Sequence, residues 1–306
     1  MAADAAVPML REHVGCEFLY DAPPGVELIV IVEPHDDTGW ARCLRSERDV
    51  MPRVPLREYR DSFGNRCWRI TSPGGEFSFR YDAEYLLPEL SDPFVPDAVQ
   101  HPVSELPNEA ILYTLPSRFC QSDLLMDDAW RLFGDTPEGW GRVQAICDWV
   151  HTNVQYGYGN SGPTTSAVDT FNTGQGVCRD FAQLPITFCR ALNIPARYVF
   201  GYFPDYAVEP PDVPMDFHAW FEVYLGGAWR TFDARHNVPR IGRVKIAQGR
   251  DAVDVAMVTA YGSAQLLKMT VWSDAEPVDP AEFHASEQPA APSAKAGRVM
   301  PGEGRD

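Results

Sequence analysis

Along the first ninety or so residues, hydrophobic and polar positions alternate in short runs; after that the apolar spacing becomes helical. Runs at 11–20, 26–32, 66–71 and 76–81 are rich in β-branched and aromatic residues. They are broken by Pro23-Pro24-Gly25, Phe63-Gly64-Asn65 and Pro73-Gly74-Gly75, which predicts a small β-sandwich-like domain over residues 1–95. Pro88, Pro93, Pro96, Pro102 and Pro107 then disfavour regular structure, and residues 96–110 read as a linker.

A second domain, of α+β class, is expected over 111–275. Ser122 and Asp123 precede an apolar run to Phe133, and Trp140, Val143, Ile146, Trp149 and Val150 recur at helical spacing. Thr164-Thr165-Ser166 opens a short helix to about Phe171, with Asp169 placed for a capping box on Ser166. From Cys178, Phe181, Leu184, Phe188 and Leu192 share one side of a helix, which Pro185 is expected to kink. Residues 276–306, rich in Pro, Ala, Ser, Glu and Gly without periodicity, read as a disordered tail.

Candidate chemistry lies where the Gly174–Gly176 loop meets that last helix. Cys178 falls in its first turn, where the macrodipole and unpaired N–H groups favour a thiolate and lower the pKa. Gly174 and Gly176 would let the backbone bend and a substrate approach. A lone cysteine can equally be a small buried hydrophobe. The weight shifts with residues 217–225 and 228–233, two strand-like runs around Gly226-Gly227 that read as a tight hairpin. With Leu225 facing Ala228, His218 and Asp233 share a face as diagonal neighbours with backbones roughly 7–8 Å apart. A carboxylate on one ring nitrogen would orient the imidazole and leave the other to take a thiol proton. The Cys178 backbone N–H plus Gln175, Tyr158 or Trp220 are candidates for an oxyanion hole.

The blocks at 174–182 (GQGVCRDFA), 192–199 (LNIPARYV), 201–202, 217–223 (FHAWFEV) and 231–233 (TFD) resemble the transglutaminase-like superfamily. The likeness is greatest to bacterial members with an extra N-terminal β domain, and it runs over roughly residues 100–270. It implies a papain-like transglutaminase core, a helix carrying the nucleophilic cysteine packed on an antiparallel sheet. It also implies nucleophile, base and orienting carboxylate at Cys178, His218 and Asp233. Ala234 stands where many relatives have proline, and Pro185 interrupts the helix after the nucleophile.

Composition narrows the surroundings. The 306 residues are 45% hydrophobic with a formal charge of −17, and no Lys/Arg cluster offsets that charge, which argues against nucleic acid. No apolar run of about 18 residues exists, and the N-terminal residues lack the basic start of a signal peptide, so no membrane span and a cytoplasmic location are expected. Seven cysteines without a Cys-x-x-Cys pair argue against a disulfide framework or structural zinc. No cofactor and no metal are expected. His218, Asp233 and His236 could ligate a hydrolytic metal, but His236 has the wrong strand parity and no helical His-x-x-x-His exists.

The expected partner is a protein or peptide, with a primary amine as a possible acceptor. Water at the second step makes a peptidase or amidase and an amine makes a transglutaminase, with hydrolysis favoured because water exclusion must be built. A non-catalytic binding module that kept the fold is the alternative of another class.

Overall fold

The computed structural model describes residues 7–38, 41–210 and 212–278. Six strands come first: Met9–Ala22 (β1), Glu27–Val30 (β2), Arg42–Met51 (β3), Leu56–Arg60 (β4), Arg66–Thr71 (β5) and Gly75–Pro88 (β6). In β1 the even positions, among them Leu10, Val14, Cys16 and Phe18, are buried, as a period of two demands of a half-buried strand. They share one core with Leu28, Val30, Trp68, Ile70, Phe77 and Phe79. Strands β3 and β4 are different. Nearly every side chain on them is exposed, and they are held by pairing to β6 and β5 rather than by burial. Alternation is therefore absent from Arg42–Arg60, and the hydrophobic pattern predicts no strand there.

After β6 the chain has no strand or α-helix until Asn108–Ile111 (α1). Then follow Met126–Phe133 (α2), Trp140–Asn153 (α3), the short strand Gln155–Tyr156 (β7), Ala167–Thr173 (α4), Gln175–Gly176 (β8) and Cys178–Ala191 (α5). Turns occupy Ser122–Leu124, so α2 begins later than its polar start suggests. The capping box of α4 is present: Ser166 N donates to Asp169 Oδ2 at 2.9 Å and Asp169 N to Ser166 Oγ at 3.4 Å. Helix α5 continues through Pro185.

Ala196–Tyr202 (β9), His218–Leu225 (β10), Ala228–Phe232 (β11) and Val244–Gly249 (β12) form an antiparallel sheet in the order β11-β10-β9-β12, with α5 packed on β9 and β10. Val258–Tyr261 (β13) and Gln265–Val278 (β14) follow. The sequence reading placed residues to 275 with the second domain, but β13 pairs with β2 and β14 pairs with β1 along its length. β13 is four residues with no buried position and β14 exposes most of its side chains, so their sequences carry little sign of that destination. The first domain is thus two four-stranded sheets, β14-β1-β6-β3 and β13-β2-β5-β4. Residues 276–278, expected in the tail, end β14, and 279–306 lie outside the described residues.

The two domains meet beside the start of β10. Tyr202 Oη donates to the Val32 carbonyl at 2.9 Å, Tyr81 stacks on Tyr202 at 6.4 Å, and Phe18 lies 6.2 Å from Phe217. The residue preceding His218 is therefore fixed by aromatic packing from the β domain. Among the described residues no helix is long and apolar enough to cross a membrane.

Gly201 lies opposite His218 in the β9/β10 ladder, and a Cβ there would come within 2.2 Å of the Val244 carbonyl oxygen and 2.8 Å of the Trp220 ring. Gly201→Ala is expected to destabilise the protein by about 1–3 kcal/mol. The measurement is the denaturant midpoint, which should fall at constant m value; an unmoved midpoint would show that the strand yields freely.

Candidate active site

Gly226 and Gly227 have φ of +57° and +79°, the left-handed pair that a two-residue hairpin loop needs. Leu225 faces Ala228 and Phe221 faces Phe232, which is the register expected from the sequence. Beyond Phe232 the chain leaves the strand in a turn: Asn237 N donates to the Asp233 carbonyl at 2.8 Å, and Arg235 N to Asp233 Oδ1 at 3.0 Å. Asp233 Oδ2 lies 2.7 Å from His218 Nε2.

Two further groups converge on that oxygen. His236 Nδ1 is 3.0 Å away and Arg243 Nη2 donates at 2.9 Å. Strand parity had set His236 aside, but parity applies only while the strand lasts, and the turn swings this ring to 4.8 Å from that of His218. His218, Asp233 and His236 thereby offer three ligand atoms within 4.8 Å of one another, a set of the kind that could hold a metal ion. The fit is poor, because a cation there would meet the guanidinium of Arg243, already bonded to the shared carboxylate oxygen.

Burial opposes ionisation of Asp233, yet His218, Arg243 and His236 outweigh it and hold the carboxyl well below its ordinary range. With that carboxylate charged, His218 Nε2 carries the proton and Nδ1 is the acceptor. The imidazole lies between Phe203, stacked at 5.1 Å, and Trp220 at 6.4 Å. Burial pushes its pKa down to about 4, against the upward pull of Asp233. Cys178 departs from expectation: burial pushes its thiol up to about 11, and the opposing field of Arg235 offsets this only in part. At neutral pH the thiol and imidazole are both uncharged.

The start of α5 explains the motif around Cys178. Asp180, fully buried, accepts from Val177 N at 2.9 Å, closing the N-terminal turn from inside. A Cβ on Gly176 would lie 2.7 Å from Asp180 Cβ, so this glycine makes room for the capping carboxylate rather than for a substrate. Gly174, at φ +65°, ends α4. Arg179 Nη2 reaches Ser161 Oγ at 2.6 Å and the Gly162 carbonyl at 2.7 Å, tying the preceding loop to the helix.

Cys178 and His218 line one cavity of about 400 Å³, with Tyr156 and Tyr158, Asp205, Val208 and residues 213–216, and Arg235 and His236. Tyr158 is 57% exposed at its mouth. The other suggested oxyanion donors fall outside it: Gln175 is exposed on β8, and Trp220 is buried behind His218 and faces a different cavity. Sequence reasoning gave no role to Arg235, whose guanidinium sits 3.9 Å over the Tyr156 ring, nor to Asp180 and Arg243. With Val177 in the cap position the Val177-x-x-Asp180 spacing lacks the Ser or Thr that makes a capping box legible, and Arg243 carries no signal either.

Residues 131–234 match the core of the transglutaminase-like superfamily, a span containing Cys178, His218 and Asp233. The crystal structure of a putative cysteine protease from Cytophaga hutchinsonii is similar at TM-score 0.78 and 35% identity, covering 90% of this chain and 92% of that one. An uncharacterised protein of Mycobacterium leprae is 34% identical over 117 residues, 37% of this chain and 42% of that protein. One of Mycobacterium tuberculosis is 27% identical over 157 residues, 47% and 49% of the respective lengths. The chain thus spans less than half the length of these two mycobacterial relatives. It belongs to the transglutaminase-like superfamily.

Removing the Asp180 carboxylate orphans a backbone N–H at the helix start. Asp180→Ala should destabilise the fold by about 1–2 kcal/mol, seen as a lowered melting temperature; wild-type melting would mean that the cap is dispensable.

Proposed function

We propose that this chain is a cysteine-dependent hydrolase that cleaves amide bonds of proteins or peptides through a thioester on Cys178. The observation that carries the reading is the 2.7 Å bond from His218 Nε2 to Asp233 in a cavity shared with the thiol at a helix start. Family membership and the similarity to the Cytophaga protein named a putative cysteine protease support it. A purely binding role would need neither a buried, carboxylate-oriented imidazole nor a thiol beside it.

Because thiol and imidazole are uncharged at rest, the proton moves as the bond forms. His218 Nδ1 takes the thiol proton while sulfur attacks the carbonyl carbon, and Asp233 stabilises the imidazolium that results. Breakdown of the tetrahedral adduct breaks the C–N bond, and the imidazolium returns its proton to the departing amine. Water, deprotonated by the same ring, then attacks the thioester, releasing the acid and restoring the thiol. The backbone N–H of Cys178 is one donor for the oxyanion. Hydrolysis is favoured over amine transfer because Tyr158, Val208 and Val213 at the cavity are 57%, 40% and 42% exposed, so water reaches the site.

Incubation of a peptide library with and without a primary amine, read by mass spectrometry, tests this. Products should gain water, and an amine adduct as the main product would instead make the chain a transglutaminase. Cys178→Ala should abolish turnover with unchanged circular dichroism, and Asp233→Asn should lower kcat by about 10³–10⁴-fold. Wild-type rates in Cys178→Ala would remove the thiol from the reaction.

The base must be neutral to act, and its pKa lies below rather than at 6.5. On the acid side, kcat/KM should therefore hold through pH 6 and fall only near 4. An acid limb at about 6.5 would place the working ring in water-like surroundings.

A further inference from the structure

Trp220 and Glu222 of β10 border a second cavity, of about 300 Å³, closed by Asp37, Thr38 and Leu87 of the β domain and by the Leu90–Pro93 segment. Its charge is unbalanced. Arg197, Arg230, Arg240, Arg243 and Lys245 face it, against Asp37, Asp92 and Glu222. All three carboxylates are already engaged: Glu222 accepts from Arg197 Nε at 2.6 Å, Lys245 Nζ is 3.4 Å from Asp37, and Asp92 accepts from Arg243 Nε at 3.0 Å. Arg230 and Arg240 have no carboxylate in salt-bridge reach among the described residues. The Arg240 guanidinium, 8% exposed as a residue, makes a single 3.4 Å bond to the Pro204 carbonyl.

Three guanidinium nitrogens of residues on this cavity, Arg230 Nε, Arg240 Nε and Arg243 Nη1, are buried without a hydrogen-bond partner among the described residues. Buried N–H groups of cations are costly to leave unbonded, and guanidinium forks match the oxygens of carboxylate and phosphate. In a chain of net charge −17, such a local cationic excess sets this cavity apart. We infer that the cavity between the β domain and the β11-β10-β9-β12 sheet binds a small anion through carboxylate or phosphoryl oxygens. The bound anion neutralises Arg230 and Arg240. It also touches the reaction site from behind, since Arg243 holds Asp233 and Arg240 lines both cavities.

The test titrates the full chain with inorganic phosphate, and separately with citrate, at ionic strength held constant with sodium chloride. Binding is followed by calorimetry and by fluorescence of Trp220 and Trp229 on the cavity wall. Saturable binding of at least one anion is expected, and which of the two binds identifies the oxygen chemistry. Arg230→Gln should weaken it about tenfold or more. Ser91→Glu, on the exposed linker at the cavity, should do the same by repulsion without touching the sheet. Cys178→Ala should bind as wild type does, so this result stands or falls separately from the proposed reaction. No saturable binding of either anion, or wild-type affinity in both charge variants, overturns the inference.

Discussion

One carboxylate oxygen organises this molecule. Asp233 Oδ2 receives His218, His236 and Arg243 at 2.7, 3.0 and 2.9 Å, from three separate stretches of chain. Its partner oxygen is bonded to the backbone of the turn that follows β11. An anion this deeply buried is tolerable only with such a set of donors. Through Arg243 the same carboxylate is tied to Asp92 of the proline-rich segment, so the imidazole's orientation and the docking of the two domains share a support.

The second constraint is the burial of the imidazole at the back of a cavity that water enters from its mouth. Phe203 and Trp220 flank the imidazole, and Cys178 stands at the start of α5 beside Ala219 of β10. A helix N-terminus alone would favour a thiolate, but desolvation is the larger effect here. In the reaction proposed above, charge would therefore be created as the thiol proton moves, with the buried Asp233 carboxylate already in place against the imidazolium.

The hairpin register was legible because two glycines fix the loop and period two fixes the faces; the His218–Asp233 bond follows because Asp233 is the first residue past the strand and still lies beside β10. The α4 capping box was legible too, being local in sequence. Strands β3, β4, β13 and β14 were not, since most of their side chains face water and their pairing is decided by distant partners. His236 was misjudged because the strand ends one residue before Asp233. A glycine before the nucleophile suggests space for a substrate, but the neighbour of Gly176 is the Asp180 side chain, a contact made only once the helix exists. The partial burial of Cys178 depends on packing with β10, forty residues away, and no local motif carries it.

The return of β13 and β14 to the first two sheets makes the thiol-bearing region an insertion within the β domain, between β6 and β13. The β13-β2-β5-β4 sheet is complete only once Tyr261 has been made and the β14-β1-β6-β3 sheet only once Val278 has, because β2 waits for β13 and β1 waits for β14. The amino-terminal strands are thus made first and finished last. A single cut on either side of the second domain therefore leaves β13 and β14 severed in sequence from the β2 and β1 strands they pair with.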